Sequence, residues 1–296
     1  MTDRLIVRRA ALVARPSLPD ALTTMQEAAA WLEARGCTPV IERTGAEAAA
    51  LGGRWPVVDR VRLASDVDVV IAFGGDGTLL DAARAVVHAD ADVPLIGVNL
   101  GRLGFLTDIG RAEMTQALDA LIEGRTWEDS RLMLDARVAS PTTAITGPHL
   151  ALNEVVVTRG ALSRMIEVEV QVDGQFVCHV KADGLIVATA TGSTAYNLSA
   201  GGPILHPSID ALVLTPIAPH TLTNRPVVLP ATSRIELFPA SERSPDLLVT
   251  VDGQDNLPCE AGAVVAVERS PRRLRLIHTS SRTHFDMLRE KLKWGG

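Results

Sequence analysis

The chain has 296 residues, of which 47% are hydrophobic and 22% charged, and its formal net charge at pH 7 is −6. This length suits two domains, each large enough to bury its own core. The low aromatic content, 3%, and the acidic balance argue against a nucleic-acid-binding surface. The apolar runs fall short of the ~20 residues that span a membrane, and because arginines interrupt the N-terminal residues we expect no signal peptide. The 3 cysteines offer no disulfide framework, so we expect a reduced, cytoplasmic protein.

Strand and helix patterns alternate through the first part of the chain. Apolar runs predict strands at 10–14, 39–42, 67–73 and 94–99, and helical spacing of apolar residues predicts helices at 19–35, 79–87 and 111–123. Gly36 and Gly124 follow the first and last of these helices and would end them. This alternation predicts a three-layer α/β domain over residues 1–128, with a mainly parallel sheet covered by helices.

After Trp127 the apolar period changes from that of a helix to that of a strand. Residues 131–138, 165–172 and 234–238 alternate as half-buried strands do, and two Asp-Gly pairs, at 173–174 and 252–253, predict hairpin turns. We therefore expect an all-β domain over 129–279. The tail, 280–296, has a helical pattern and is expected to pack back on the first domain.

Residues 74–78, Gly-Gly-Asp-Gly-Thr, stand between a predicted strand and a predicted helix. Glycines allow a close backbone approach to a ligand, and a helix N-terminus attracts phosphate oxygens. The backbone amides of the loop, from Gly74, Gly75, Gly77 and Thr78, are therefore expected to cradle donor phosphates. Asp76 suits a hydroxyl or a metal, which predicts phosphoryl transfer to an alcohol. The alternative is a tight turn in which Asp76 only caps the helix.

Three further segments carry more polar residues than a β core needs. Asn153 and Glu154 interrupt an apolar strand, and together they could bind an adenine edge or ribose hydroxyls. Lys181 and Asp183 precede another apolar run, and residues 191–203 are rich in hydroxyls and glycines. A strand-end turn and a glycine-rich turn are the alternative explanations for the first and last segments.

Five segments resemble the NAD kinase family, which phosphorylates the 2′-hydroxyl of the adenosine ribose of NAD to make NADP. They are GGDGTLL at 74–80, GVNLGRLGFL at 97–106, LNEVVV at 152–157, DGLIVATATGSTAYNLSAGGPILHPS at 183–208 and HFDMLREKLKW at 284–294. The resemblance implies an α/β domain that carries GGDGT, an all-β domain that binds NAD, and an active site in the cleft between them. It also implies a homodimer or homotetramer that binds NAD and ATP.

The resemblance implies a role for particular residues. Asp76 would engage the ribose 2′-hydroxyl, Asp183 would lie near the nicotinamide amide, and Asp252 would be an active-site acid, although a hairpin turn explains that residue nearly as well. A basic residue at the position of Lys181 is typical of members that favour NAD over NADH. The implied NAD-binding residues are Asp76, Gly77, Asn153, Glu154, Lys181, Asp183, Thr191, Thr194, Ala195, Tyr196, Ala218 and Asp252.

Mg²⁺ is expected as a cofactor, held mainly by phosphates and water rather than by side chains. ATP and inorganic polyphosphate both remain open as phosphoryl donors.

The sequence contains no P-loop motif and no dinucleotide-binding GxGxxG motif. Two alternatives share parts of the pattern. A diacylglycerol- or sphingosine-type lipid kinase has a similar GGDGT loop but should show a membrane-binding face, and a non-catalytic NADP-binding sensor would be expected to lack Asp76.

Overall fold

The computed structural model describes residues 5–140, 145–159, 165–221, 223–240, 247–260, 262–279 and 282–294. The chain divides into two compact units, Met1–Ser130 with Leu274–Gly296, and Arg131–Arg273. Each unit contains a hydrophobic core of its own. Among the described residues, no helix is long and apolar enough to cross a membrane.

The strands and helices are numbered in chain order. The strands are β1 (Arg9–Ala14), β2 (Thr38–Glu42), β3 (Val57–Val58), β4 (Val69–Phe73), β5 (Leu95–Asn99), β6 (Ile109–Gly110), β7 (Trp127–Ala139), β8 (Thr146–Ala151), β9 (Glu154–Arg159), β10 (Ile166–Val172), β11 (Gln175–Ala182), β12 (Gly184–Thr189), β13 (Ala211–Ile217), β14 (Val227–Pro230), β15 (Ile235–Pro239), β16 (Leu247–Val251), β17 (Asp255–Cys259) and β18 (Val264–His278). The helices are α1 (Pro19–Glu33), α2 (Arg43–Ala48), α3 (Asp76–His88), α4 (Met114–Ile122), α5 (Tyr196–Ser199) and α6 (His284–Leu292).

The first unit is built on a parallel sheet. Its strands are ordered β5-β4-β1-β2-β3, and β5 also pairs with β6 and with the C-terminal end of β18. Strands β4 and β5 are buried along their whole length, as a parallel sheet covered by helices requires. The predicted α/β architecture is therefore confirmed. The short elements α2, β3 and β6 were not predicted.

The second unit consists of antiparallel sheets. One has the strand order β14-β13-β12-β9-β16-β17, and another joins β11, β10 and β15 to the N-terminal part of β18. Buried and half-buried residues alternate along β10, and the buried ones join the core. Among the described residues of this unit, the only α-helix is the four-residue α5. The predicted all-β character is confirmed.

Both predicted Asp-Gly turns are present. Asp173 and Asp252 adopt φ angles of 53° and 50°, and the glycines that follow them adopt 75° and 64°. These left-handed conformations suit the tight connections between β10 and β11 and between β16 and β17. The tail forms α6, which begins with a capping box between Thr283 and Asp286.

Candidate active site

The GGDGT loop is a sharp turn from β4 into α3. At Gly74 a Cβ atom would overlap the side chain of Thr78, so that only glycine fits without a local shift. The N–H of Gly74 donates to the carbonyl of Val98 at 3.0 Å, and the N–H of Thr78 donates to the carbonyl of Gly75, also at 3.0 Å. The expectation that these two amides bind phosphate therefore does not fit the structure, because backbone carbonyls already occupy them.

Other amides of the loop remain available for an anion. The N–H groups of Gly75 and Asp76 have no acceptor among the described residues, and they lie at the start of the 13-residue helix α3. A Cβ atom at Gly75 or at Gly77 would meet nothing within 4 Å, so the space beside the helix N-terminus is open. Unpaired amides at the positive end of a helix form a suitable phosphate-binding surface.

The carboxylate of Asp76 binds a second loop instead of capping its own helix. Its Oδ2 accepts the N–H of Phe105 at 2.8 Å. Its Oδ1 accepts the N–H groups of Leu106 and Thr107 at 3.1 and 3.0 Å and the Thr107 hydroxyl at 2.9 Å. A Cβ atom at Gly104 would overlap Asp76 Oδ1, which explains the glycine there. The plain capping role is therefore not what the structure shows.

The two oxygens of Asp76 differ in what they can still accept. Oδ1 receives three hydrogen bonds and Oδ2 receives one. A carboxylate oxygen offers about two lone-pair directions, so Oδ2 has room for one further donor. Because Asp76 is partly exposed, a hydroxyl group from a ligand can reach it.

In the second unit, Asp252 organises the segment that contains Asn153 and Glu154. Its carboxylate accepts the N–H groups of Leu152, Asn153 and Glu154 at 2.9, 2.8 and 3.1 Å. The N–H of Asp252 donates in turn to the carbonyl of Glu154 at 3.0 Å. Asp252 is therefore both a hairpin-turn residue and a support for the two polar residues singled out from the sequence.

Glu154 is a buried acid with an unsatisfied oxygen. The residue is 7% exposed, and its Oε2 atom has no hydrogen-bond partner among the described residues. Burial, followed by the nearby charge of Asp252, raises the pKa of Glu154 to about 8, although the backbone N–H of Tyr196 acts in the opposite direction. At neutral pH the group is therefore protonated and can donate as well as accept. A buried polar atom without a partner is a candidate contact for a ligand.

The hydroxyl-rich turn after β12 packs against this segment. Thr189 Oγ1 donates to the carbonyl of Leu152 at 2.6 Å and accepts the N–H of Gly192 at 3.0 Å. A Cβ atom at Gly192 would overlap the backbone of Asn153. The hydroxyl of Ser193 donates to a carbonyl of the same turn at 2.6 Å. Several of the hydroxyls therefore hold the turn together rather than point to a ligand.

The outer part of the same turn is more accessible. Tyr196 is 43% exposed, and Thr194 and Ala195 are half-buried. Thr191 is buried, and its hydroxyl accepts a hydrogen bond from the guanidinium of Arg131 at 3.2 Å. Thr194, Ala195 and Tyr196 thus follow directly on a turn that is fixed to Asn153, and the backbone of Tyr196 faces the Glu154 carboxyl.

The remaining candidates form a separate group. Asp183 is exposed, and its N–H donates to the carbonyl of Ile217 at 2.9 Å, so that it lies beside Ala218. Ala218 adopts a left-handed φ of 45°, a strained conformation for a residue other than glycine. The ammonium of Lys181 pairs with the carboxylate of Glu167 at 3.3 Å.

These candidates of the second unit lie at opposite ends of β12. Asp183 precedes this six-residue strand, and the turn that contains Tyr196 follows it. At about 3.3 Å per residue, roughly 20 Å separates the two ends. The structure therefore brings together Asn153, Glu154, Asp252 and the 191–196 turn, but not Lys181, Asp183 and Ala218 with them.

Three residues that the sequence analysis did not single out support the site. Asn99 and Thr107 connect to Asp76 through hydrogen bonds, and Arg131 binds Thr191. A polar residue at the end of an apolar strand is the sequence signal that could have marked Asn99. Within the described ranges, no group of three or more His, Cys, Asp or Glu side chains is placed to hold a metal ion.

Comparisons with known proteins identify the family of the chain. The family model described as the ATP-NAD kinase N-terminal domain matches residues 10–126, and that of the ATP-NAD kinase C-terminal domain matches residues 152–279. The chain is 43% identical over 286 residues to an NAD kinase from Nitrosospira multiformis, covering 97% of this chain and 95% of that protein. It is 42% identical over 290 residues to an NAD kinase from Geobacter sulfurreducens, covering 98% and 99%.

Two solved structures share the fold. Yeast NADH kinase, solved in complex with NADH, has a TM-score of 0.88 at 23% identity and covers 98% of this chain and 89% of its own. An NAD kinase from Archaeoglobus fulgidus, solved in complex with ATP, has a TM-score of 0.76 at 25% identity and covers 97% and 100%. These findings support a kinase acting on NAD, and not the lipid-kinase and sensor alternatives. The chain belongs to the ATP-NAD kinase family and is a phosphotransferase.

Proposed function

We propose that this kinase uses Asp76 to hold the 2′-hydroxyl of the adenosine ribose of NAD in line with the terminal phosphorus of ATP. The observation that carries this role is the hydrogen bonding of the Asp76 carboxylate. Backbone amides and a hydroxyl fix its position, and Oδ2 keeps room for one further donor. The acceptor hydroxyl is that donor, and the product is NADP.

Phosphoryl transfer depends mainly on the alignment of the attacking hydroxyl with the phosphorus atom. Phosphoryl transfer through a loose transition state needs little covalent work from the protein. A carboxylate is a weak base towards an alcohol, but the hydroxyl becomes more acidic as its oxygen bonds to phosphorus. Asp76 therefore orients the hydroxyl first and accepts its proton late in the transfer.

The start of α3 is the proposed donor site. The N–H groups of Gly75 and Asp76 face open space at the helix N-terminus, where they can bind phosphate oxygens. ATP as the donor is supported by the family description and by the related Archaeoglobus enzyme that binds ATP. Inorganic polyphosphate carries the same phosphate chemistry and is the alternative donor. Gly77 contributes to the opening because its missing side chain leaves the space clear.

Mg²⁺ is proposed as the divalent cation. Mg²⁺ commonly keeps several waters and binds substrate phosphates, so phosphate oxygens and water would supply most of its ligands. When bound, the ion offsets negative charge on the phosphates. The residues of the protein then have only to position the phosphates, through the amides at the start of α3.

The second unit is proposed to bind NAD. Glu154 Oε2 is buried and lacks a partner, which suits a contact with adenosine, and Asn153 lies beside it. The turn that would line the adenine, as the family resemblance over 183–208 implies, contains Thr191, Thr194, Ala195 and Tyr196. Lys181, Asp183 and Ala218 are proposed to contact the nicotinamide end. A dinucleotide that touched both groups would have to extend along β12.

The proposed setting is the cytoplasm, with the enzyme a homodimer or homotetramer as the family resemblance implies. The cysteines Cys37, Cys178 and Cys259 are free thiols, which suits a reducing compartment. Light scattering after size-exclusion chromatography measures the assembly directly. A monomer at working concentrations would contradict the oligomer.

The reaction is tested by incubating the purified protein with NAD, Mg²⁺ and either ATP or polyphosphate, and by assaying NADP with an NADP-specific dehydrogenase. We expect NADP to form with ATP, and the assay with polyphosphate shows whether the enzyme also uses that donor. A parallel arm replaces NAD with diacylglycerol or sphingosine. Lipid phosphorylation without NADP formation would overturn the proposal.

A further inference from the structure

Two buried side chains lie behind Asp76 in the first unit. The hydroxyl of Thr107, which is 0% exposed, donates to Asp76 Oδ1 at 2.9 Å. The same hydroxyl accepts a hydrogen bond from Asn99 Nδ2 at 2.7 Å. The other end of the Asn99 amide, Oδ1, accepts the N–H of Gly101 at 2.8 Å. The three side chains thus form a chain of hydrogen bonds from Asn99 through Thr107 to Asp76.

The direction of this chain is fixed by the backbone. Because a backbone N–H can only donate, the atom of Asn99 that faces Gly101 must be the carbonyl oxygen. The amide nitrogen of Asn99 therefore faces Thr107 and donates to its hydroxyl oxygen. The hydroxyl hydrogen of Thr107 is then left for Asp76 Oδ1. Asn99 sets the orientation of the hydroxyl, and the hydroxyl binds one chosen oxygen of the carboxylate.

We infer that Thr107 and Asn99 are positioning residues for phosphoryl transfer, which complete the hydrogen bonding of Asp76 Oδ1 and so leave Oδ2 as the oxygen that receives the 2′-hydroxyl. This inference rests on the proposed role of Asp76. It adds to that role the identity of the accepting oxygen and the two side chains that select it.

The hydrogen bonds around Asp76 explain why its carboxylate keeps one orientation, with Oδ2 left for the ligand hydroxyl. Oδ1 accepts from two backbone amides at 3.1 and 3.0 Å and from the Thr107 hydroxyl at 2.9 Å, so the hydroxyl makes the shortest of the three bonds. Rotation of the carboxylate group would disturb these bonds and the bond from Phe105 to Oδ2. Alignment of the reacting atoms matters because a misplacement of about 1 Å can lower the rate about 10²-fold.

The hydroxyl and the backbone N–H of Thr107 both bind Asp76, and a substitution can remove the first bond without the second. The N–H groups of residues 105–107 hold the loop on Asp76, and any residue other than proline at position 107 keeps them. Replacing Thr107 by valine removes only the hydroxyl and keeps the branched shape. A loss of turnover in Thr107→Val would therefore report the orientation of Asp76 rather than the loss of the loop.

The test compares Thr107→Val with Thr107→Ser in steady-state NADP formation. We expect Thr107→Val to lower kcat by about 10-fold or more while KM for NAD changes by less than about threefold. Thr107→Ser keeps the hydroxyl and should stay within about threefold of the parent kcat. Thr24→Val is the matched control, because Thr24 is also 0% exposed and its hydroxyl donates only within α1, to the carbonyl of Asp20 at 2.7 Å. It should keep the parent kcat.

Two further variants make the test independent of the folding of Thr107→Val. Asn99→Asp keeps the shape and the bond from Gly101 but places an acceptor opposite the Thr107 hydroxyl, which would turn that hydroxyl away from Asp76. It should also lower kcat. In an Asp76→Asn background, Thr107→Val should change kcat by less than about twofold, because both substitutions act on the same carboxylate.

Several results would overturn the inference alone. One is that the parent is active and kcat is unchanged in both Thr107→Val and Asn99→Asp. Another is that Thr107→Ser lowers kcat as much as Thr107→Val does. A third is that the effects of Thr107→Val and Asp76→Asn on kcat multiply fully in the double variant. A parent that makes no NADP would overturn the proposed function, and the inference would fall with it. The parent assay therefore distinguishes the two failures.

Discussion

Glu154 and Asp252 are joined by two hydrogen bonds that run in opposite directions. The N–H of Glu154 donates to Asp252 Oδ1 at 3.1 Å, and the N–H of Asp252 donates to the Glu154 carbonyl at 3.0 Å. The Asp252 carboxylate also binds the N–H groups of the two residues before Glu154. An acid that a sequence pattern assigns to a hairpin turn thus fixes the backbone from which two candidate ligand contacts project.

The first prediction concerns Asp252→Asn. A carboxamide must place its NH₂ group against at least one of the three backbone N–H donors, so the segment that carries Asn153 should loosen. A lost hydrogen bond to a charged group costs about 1.5–3 kcal/mol, and we expect KM for NAD to rise about 10-fold or more with a smaller change in kcat. Steady-state kinetics and calorimetric titration with NAD measure both effects.

Asp173→Asn is the control for that prediction. Asp173 occupies an equivalent Asp-Gly turn with a φ of 53°, and its Oδ1 accepts the N–H of Arg234 at 2.8 Å. It should leave KM for NAD unchanged. Equal effects of the two substitutions, or an unchanged KM in Asp252→Asn, would show that the support of Asn153 and Glu154 is not important for NAD binding.

The second prediction concerns the pH dependence of stability. The pKa of Glu154 is raised from its ordinary value of 4.5 to about 8, first by burial and then by the charge of Asp252. The folded state therefore holds a proton that the unfolded state releases, and stability falls as pH rises from about 5 to about 8. Above pH 8 both states are ionised and the loss is complete. Glu154→Gln cannot ionise and should escape this loss.

Urea unfolding of the parent and of Glu154→Gln between about pH 5 and pH 9 measures the difference. The free energy of unfolding of Glu154→Gln, minus that of the parent, should increase through this range by an amount on the order of 4 kcal/mol, at 1.36 kcal/mol per pKa unit. It should level off above about pH 8. Parallel pH profiles for the two proteins would contradict the raised pKa.

The third prediction concerns the choice between NAD and NADH. We expect the parent to prefer NAD, and Lys181→Gly to raise the kcat/KM ratio of NADH to NAD. The ammonium of Lys181 pairs with Glu167, its cross-strand neighbour, at 3.3 Å. Exposed pairs contribute about 0.2–1 kcal/mol, so the ratio should shift by no more than about fivefold and the stability should barely change.

Glu167→Gln removes the ion pair but keeps Lys181, so it distinguishes the effect of the pair from that of the lysine. If the pair holds the region near Asp183 in place, Glu167→Gln should shift the ratio in the same direction as Lys181→Gly. Equal use of NADH and NAD by the parent, or an unchanged ratio in Lys181→Gly, would remove the role assigned to Lys181.

Much of the fold can be predicted from local patterns. Strands β4 and β5 follow from uninterrupted apolar runs, and the Asp-Gly turns follow from the conformational freedom of these residue types. The short strand β6 could not be predicted, because its two residues form a strand only through pairing with β5. Helix α2 is similar, with six residues and a start stabilised by the Glu42 side chain.

The candidate site shows the same division between local and distant information. The residue types and spacing of the GGDGT loop predict a phosphate-binding turn with a functional carboxylate. The bond between Asp76 and Thr107 joins residues 31 positions apart, and the bond between Asp252 and Asn153 joins residues 99 apart. No periodic pattern can reveal such contacts. The occupied amide of Gly74 could not be predicted either, because its acceptor, the carbonyl of Val98, lies on a neighbouring strand.

In the proposed reaction, Asp76 orients and deprotonates the acceptor hydroxyl while other residues bind NAD. Asp76→Asn tests this role through kcat for NADP formation and the Kd for NAD, measured by calorimetry on the same preparation. We expect kcat to fall by about 10²–10⁴-fold or more with NAD binding retained. Lost NAD binding in a normally folded variant, or a kcat near that of the parent, would contradict it.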